Sequence, residues 1–260
     1  MLDWAHRDSR REPYFIVQDD GERAKAILDN LAYCDERSRE TLLNELHVQL
    51  QHDKRRVADW RAHIVSLRSS QGFKTLRQSP LTGRSVSKPR GYSGDAVMID
   101  YIYGLEGGAA ATTVGQRIFD WEFASVTCRA VRARRAHLAA LVDSVPIDAR
   151  ILSVACGHLR ELELCSSAQY RRPASIVGLD QDKLSIGFLG SLATPCVWPM
   201  LGSVKQLLRD DIELGGFDLI YSAGLYDYLD DRVARVLTHK LVTMLRPGGV
   251  LRVANLTPGL

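Results

Sequence analysis

The sequence predicts an α/β fold: a doubly wound parallel sheet carrying a helical N-terminal extension. Four stretches carry that prediction. Ile151-Leu-Ser-Val-Ala-Cys-Gly-His-Leu-Arg-Glu-Leu162 opens as an apolar run, turns through Ala155, Cys156 and Gly157, and continues as a helical pattern through Arg160, Leu162 and Leu164. A strand, a tight turn and a helix in that order open a nucleotide-binding sheet. Ser175-Ile-Val-Gly-Leu-Asp180 follows as a second buried strand ending in a carboxylate. Gly216-Phe-Asp-Leu-Ile-Tyr-Ser-Ala223 is another strand, followed by a helix over Asp230–Leu245 and by Leu245-Arg-Pro-Gly-Gly-Val-Leu-Arg-Val253, a helix end, a turn and a last strand.

Taken in order, the chain begins with a polar stretch to Asp20, in which Tyr14, Phe15, Ile16 and Val17 form an apolar patch, an anchor or a brief strand. Ala24, Ile27, Leu28 and Leu31 step at helical spacing across Glu22–Tyr33. From Glu36 to Leu67 the positions Leu43, Leu46, Leu50, Val57, Trp60, Ile64 and Leu67 step by threes and fours. They predict one long helix, or two broken near His52-Asp53 with Asp53 as N-cap. Packing on the body of the protein is favoured over a coiled-coil seam, which keeps a homodimer as the alternative. His47, His52 and His63 read as solvated helix-face residues. Ser69–Val86, rich in Ser, Gly, Thr and Gln, reads as a loop, and closes a first unit over residues 1–86.

Residues 87–148 are expected to cover the active site. Ser87-Lys-Pro-Arg-Gly-Tyr-Ser-Gly-Asp95 is a turn with more polar equipment than a turn requires, and Asp95 stands where it would cap the next helix. Gly104–Ala111 reads as a flexible loop. A long helix is expected over Thr113–Val142, with Arg129, Arg132, Arg134 and Arg135 on a basic face. Such a face is ordinarily solvated; the alternative puts one arginine over an anionic substrate. Residues 149–260 form the sheet domain, with strands expected at Ile151–Val154, Ile176–Leu179, Pro195–Leu201, Leu219–Ser222 and Val250–Ala254.

Composition sets bounds. With 260 residues and 45% hydrophobic content the chain can bury one substantial core and a smaller helical unit. A net charge of +3 argues against nucleic acid as a partner, which calls for a clustered basic patch. Cysteines 34, 128, 156, 165 and 196 show no metal-ligand spacing, so no metal is expected; their odd number fits reduced thiols in the cytoplasm. Met1–Arg11 lacks the apolar core of a signal peptide, and no apolar run approaches the ~20 residues that span a bilayer.

The motifs from Ala149 to Asn255 resemble the class I S-adenosylmethionine-dependent methyltransferases, whose Rossmann-like sheet they follow in order. Lys88-Pro-Arg-Gly-Tyr-Ser-Gly-Asp95, Ala155-Cys-Gly-His-Leu-Arg-Glu161 and Gly224-Leu-Tyr-Asp-Tyr-Leu229 are similar to a bacterial subgroup with a helical extension, the 3-hydroxypalmitic acid methyl ester biosynthesis proteins. That resemblance implies a small-molecule biosynthesis role and a fatty-acid-like acceptor. Class I enzymes usually add a strand hairpin after the fifth strand; the chain stops at Leu260, so that hairpin is expected to be absent and the fifth strand to form an edge.

The resemblance implies S-adenosyl-L-methionine as cofactor. It puts Ala155, Cys156 and Gly157 under the methionine part, with Glu161 near its amine or balancing the helix dipole. Asp180 would take the ribose hydroxyls, Gln181 would lie beside the adenine, and Ser203 and Val204 would enclose it. Tyr221 and Ala223 end a strand at the ligand face. Arg90, Tyr92, Tyr226 and Tyr228 would line the acceptor pocket. A carboxylate acceptor needs no base and would be oriented by Arg90; for a hydroxyl or amine the candidate base is Asp227 or His158. Methyl transfer to a small molecule is the leading reading. A nicotinamide-dependent oxidoreductase lacks its glycine fingerprint, with Ala155 at the first glycine position. A cofactor-binding or dimerising module without catalysis is the alternative.

Overall fold

The computed structural model describes residues 22–105, 110–166 and 175–255. The Tyr14–Val17 patch and the middle of the Gly104–Ala111 stretch lie outside the described residues. Helices α1 (Glu22–Tyr33), α2 (Glu36–Arg56), α3 (Trp60–Ser69), α4 (Gln71–Leu76) and α5 (Pro80–Ser87) come first. Then follow α6 (Ala96–Ile102), α7 (Thr113–Ala124) and α8 (Val126–Ser144). The sheet region runs β1 (Arg150–Val154), β2 (Ser175–Asp180), α9 (Lys183–Leu192), β3 (Val197–Leu201), α10 (Val204–Leu208), β4 (Phe217–Ala223), α11 (Asp231–Thr243) and β5 (Leu245–Ala254).

The strands lie in the order β3-β2-β1-β4-β5 and every pair is parallel. Successive side chains of a strand point to opposite faces, so a sheet covered on both sides needs apolar residues at consecutive positions. Ile151 of β1 packs with Leu138 and Val142 of α8 and Leu189 of α9. Its neighbour Leu152 packs on the opposite face with Leu207 of α10 and Leu237 and Leu241 of α11. Each such side chain contributes about 1.5–3 kcal/mol by leaving water. β5 is an edge among the described residues. Phe217 pairs with Leu245, but Leu219 already pairs with Val250, so the expected Pro-Gly-Gly turn is a bulge inside β5 rather than a break before it.

Four expectations need correction. The Glu36–Leu67 pattern breaks at Val57–Asp59, and Asp59, not Asp53, caps the second helix by accepting from the Ala62 N–H at 2.9 Å. Asp53 is buried; it accepts from Gln49 Nε2 at 2.6 Å and stands 3.1 Å from His63 Nε2, so His63 is a buried clamp between α2 and α3 rather than a solvated residue. Ser69–Val86 is not a loop: Ser70 caps α4, and Pro80 sits in the first turn of α5. The long helix over Thr113–Val142 is two helices, because Ser125 leaves helical geometry and caps α8 by accepting from the Cys128 N–H. The seam residues Leu46 and Leu67 bury against Ala24, Ile27 and Leu28 of the same chain.

The Ser87–Asp95 turn is fixed to this scaffold by Asp95. Its Oδ1 accepts from the Met98 N–H at 3.0 Å, capping α6, and from Arg84 Nε at 2.6 Å. The carboxylate is fully buried. Removing one member of a buried ion pair strands the other. Asp95→Ala is expected to lower unfolding free energy by about 3–5 kcal/mol in urea titration. Asp95→Asn, which keeps the cap, should lose less; equal losses would mean that the ion pair with Arg84 adds nothing.

Candidate functional site

The turn after β1 is held in an unusual backbone conformation. Ala155, Gly157 and Leu159 all have positive φ, at 54°, 55° and 49°. For Ala155 and Leu159 this costs about 1–2 kcal/mol each, since Cβ crowds the following carbonyl. The sequence therefore places alanine and leucine in a conformation that glycine adopts freely. Leu159 in this conformation also prevents the expected α-helix from starting; Arg160–Leu164 is a 3₁₀ helix instead.

Asp180 holds the turn. The Gly157 N–H donates to its Oδ2 at 2.8 Å, and the Asp182 N–H donates to its Oδ1 at 2.9 Å. The Cys156 N–H donates to the Leu179 carbonyl at 3.1 Å. Gly178 of β2 lets the turn come close, since a Cβ there would lie 3.1 Å from both Cys156 Sγ and Leu159 Cδ1.

Above this turn, at the carboxyl ends of β1, β2 and β4, lies a cavity of about 500 Å³. Ligands bind at this end of open parallel sheets, and 300–1,000 Å³ is the usual range for small-molecule sites. The residues expected at the cofactor site (Ala155, Cys156, Gly157, Glu161, Asp180, Gln181, Ser203, Val204, Tyr221 and Ala223) all line it. So do His158, Asp227, Tyr92 and Tyr228. Ser203 caps α10 in a reciprocal pair with Gln206.

Two expected residues are elsewhere. Arg90 does not line the cavity: its Nη1 donates to Asp182 Oδ2 at 2.5 Å and to Ser185 Oγ at 3.0 Å, tying the Ser87–Asp95 turn to the start of α9. Tyr226 packs into the core on the α11 side, with its hydroxyl 2.9 Å from Thr238 Oγ1. At the mouth the Tyr92 and Tyr228 rings meet edge to face at 6.1 Å. The Tyr228 hydroxyl lies against Gly94: a Cβ on Gly94 would lie 2.4 Å from that oxygen. Burial, then the Asp180 and Asp182 charges, raise the Tyr92 pKa and keep it a neutral phenol.

Sequence reasoning missed the partners of these residues. His158 Nδ1 is 2.7 Å from Asp100 Oδ2, and Arg160 grips the same carboxylate through Nε at 2.9 Å and Nη2 at 3.0 Å. Burial pushes the Asp100 carboxyl up, but the bonds from His158 and Arg160 outweigh it and the net displacement is downward. His158 Nε2 is buried with no hydrogen-bond partner, and its ring packs 4.2 Å from that of Phe188. Glu161 is buried and accepts from the Tyr221 hydroxyl at 2.7 Å. Burial, then the Asp180 and Glu161 charges, push the Cys156 thiol well above its usual range, so it stays neutral. All five cysteines are free thiols.

The basic face of α8 divides by partner. Arg132 donates to the Phe123 and Ile102 carbonyls, and Arg135 to the Arg160 carbonyl and Glu163. Arg134 lines the cavity. Among the described residues, no helix is long and apolar enough to cross a membrane.

No family model matches the sequence, and no curated protein matches it. Solved structures do. A possible exported protein from Bordetella parapertussis superimposes with a TM-score of 0.58 at 20% identity, over 92% of this chain and 72% of that one. The likeness is one of fold. Two partial overlaps are a TehB-like SAM-dependent methyltransferase from Corynebacterium glutamicum (TM-score 0.37, 24% identity, 48% of this chain and 69% of that one) and PKMT2 from Rickettsia typhi in complex with AdoHcy (TM-score 0.35, 22% identity, 42% and 21%).

Glu161 gives the site a pH signature. Its pKa is raised above 4.5, first by burial. A raised carboxyl pKa means that the folded state disfavours the charged form, so stability falls as pH rises from the unfolded pKa through the folded one. Glu161→Gln removes that loss. The variant's stability relative to the parent is expected to grow as pH rises above 4.5 and then level off, read by urea unfolding across the acid-to-neutral range. A pH-independent difference would mean that the carboxyl titrates normally.

Proposed function

We propose that the chain is a transferase that binds a nucleoside-bearing cofactor at the carboxyl ends of its strands. Its cofactor is S-adenosyl-L-methionine and its reaction is methyl transfer to a small-molecule acceptor. The observation that carries this reading is Asp180, buried at the end of β2 with both oxygens held by loop N–H groups while it lines the cavity. Each oxygen keeps a further lone pair, the arrangement that receives two ribose hydroxyls.

The residues fit the group. Ala155, Cys156 and Gly157 would pass beneath the methionine part, with Tyr221, Ala223 and Glu161 on its far side. Gln181, Ser203 and Val204 would enclose the adenine. When bound, S-adenosylmethionine supplies an electrophilic methyl on a positively charged sulfur. The protein's work is then to align a nucleophile and exclude water. Tyr92, Gly94 and Tyr228 close the mouth to that end.

The acceptor would lie under α6 and α8, whose Met98, Ile99, Ile102, Val131 and Leu138 make that wall apolar. This supports an acceptor with a hydrocarbon body, a fatty-acid-like carboxylate or hydroxyl, in line with the bacterial subgroup the motifs resemble. A carboxylate needs no base. For a hydroxyl, His158 is the candidate, with Asp100 holding Nδ1 and leaving Nε2 to take the proton. Asp227 at the mouth is the other. Free thiols fit a cytoplasmic setting.

The test is calorimetric titration with S-adenosylhomocysteine. One site per chain in the micromolar range is expected. Asp180→Asn should weaken it by about 1–2 kcal/mol, because a charge-assisted acceptor becomes a neutral one. Absence of binding to the parent chain would overturn the cofactor assignment; an unchanged affinity in the variant would remove Asp180 from the site.

A further inference from the structure

On α8 the residues Thr127, Val131, Arg134 and Leu138 line the cavity. Their steps of four, three and four put them on one helix face. Arg134 is the charged member of that stripe.

Its surroundings give the charge little compensation. Among the described residues Arg134 forms no ion pair, whereas Arg135 beside it is bonded to Glu163. The Arg134 Nε is buried with no hydrogen-bond partner. Its guanidinium lies over the end of β4: a Cβ built on Gly224 would be 3.5 Å from Nη1 and 3.6 Å from Nη2. The guanidinium is also close enough to Tyr103 to act on its hydroxyl, which belongs to a cavity-lining residue whose pKa burial pushes up to about 12. Glu161 is close enough for its charge to be felt, yet burial drives that carboxyl toward its neutral form. An arginine held in an apolar wall, facing a cavity and lacking a carboxylate, is built to receive one.

We propose that Arg134, with the Tyr103 hydroxyl, is a carboxylate seat at the β4 end of the cavity. The carboxylate belongs either to the amino-acid tail of the cofactor or to the acceptor. The inference rests on the reading of this cavity as the cofactor and acceptor site.

The experiment uses the full chain, Arg134→Gln and Arg134→Lys, each checked for an unchanged thermal transition. Each is titrated with S-adenosylhomocysteine, with its decarboxylated analogue, and with octanoate and octanol as probes. If the seat takes the cofactor's carboxylate, the parent prefers S-adenosylhomocysteine over the analogue by about tenfold, Arg134→Gln erases the preference, and Arg134→Lys keeps part of it. If it takes the acceptor's, the nucleosides bind alike to all chains, while octanoate binds the parent about tenfold more tightly than it binds Arg134→Gln and octanol does not discriminate. No dependence on Arg134 in either arm overturns the proposal. Failure of both nucleosides to bind the parent overturns the cofactor reading instead, and the octanoate arm still decides the seat.

Discussion

The Asp180 carboxylate is the constraint on which the rest of the site depends. A backbone that visits the left-handed region at Ala155, Gly157 and Leu159 stores strain that two of those residues cannot relieve. It persists because the surrounding bonds over-determine it. Asp180 ties the Gly157 N–H and the Asp182 N–H to one group at the end of β2. The same group thereby sets the floor of the cavity, the start of α9 and the position of its own remaining lone pairs. A carboxylate can do this in a buried place only because backbone N–H groups replace the water it gives up.

The helical layer is joined to that arrangement through charge. Arg90 links the Ser87–Asp95 turn to Asp182, two residues beyond Asp180. Asp95 fixes the other end of the same turn to Arg84 and to the start of α6. Asp100, one turn further along α6, reaches across to His158 and Arg160 in the β1 turn. Asp182 and Asp100 thus clamp α6 and its leading loop over the sheet, while Asp95 ties that loop back to α5. The helices before β1 form the second wall of the cavity, and the sheet alone would leave it open.

The sheet was legible in the sequence because its signal is local. Consecutive apolar residues, small residues in a turn and a terminal acid fix β1, β2 and β4 without reference to anything distant. The helix breaks were less legible. Ser70, Pro80 and Ser125 are turn-formers by composition, and here they start helices, since a cap and a loop use the same side chains. Arg90 illustrates a different limit. A long, flexible guanidinium bonds whatever carboxylate the fold brings near, and Asp182 is 92 positions away. Asp100 was unreadable for the same reason, and Arg134 could not be singled out from the other arginines of α8: their identity as site residues depends on which face of α6 and α8 meets the cavity. The stripe from Thr127 to Leu138 was present in the spacing, but spacing alone does not say whether a stripe faces core, cavity or water.

The electrostatics of the cavity then have a direction. At the β2 end Asp180 offers acceptors, and the neighbouring Asp182 charge is answered by Arg90. At the β4 end Glu161 is displaced toward its neutral form and hydrogen-bonded by Tyr221, so the Arg134 charge there is poorly answered. Fixed charges in an enclosed, partly apolar space act more strongly than they would in water and need no reorganisation when a ligand arrives. An occupant with hydroxyl donors at one end and an anionic group at the other is therefore oriented before any contact with its middle. The Tyr92–Tyr228 pair at the mouth stays neutral because burial and nearby acids oppose ionisation of Tyr92, so it closes the space without adding a charge that would blur that orientation.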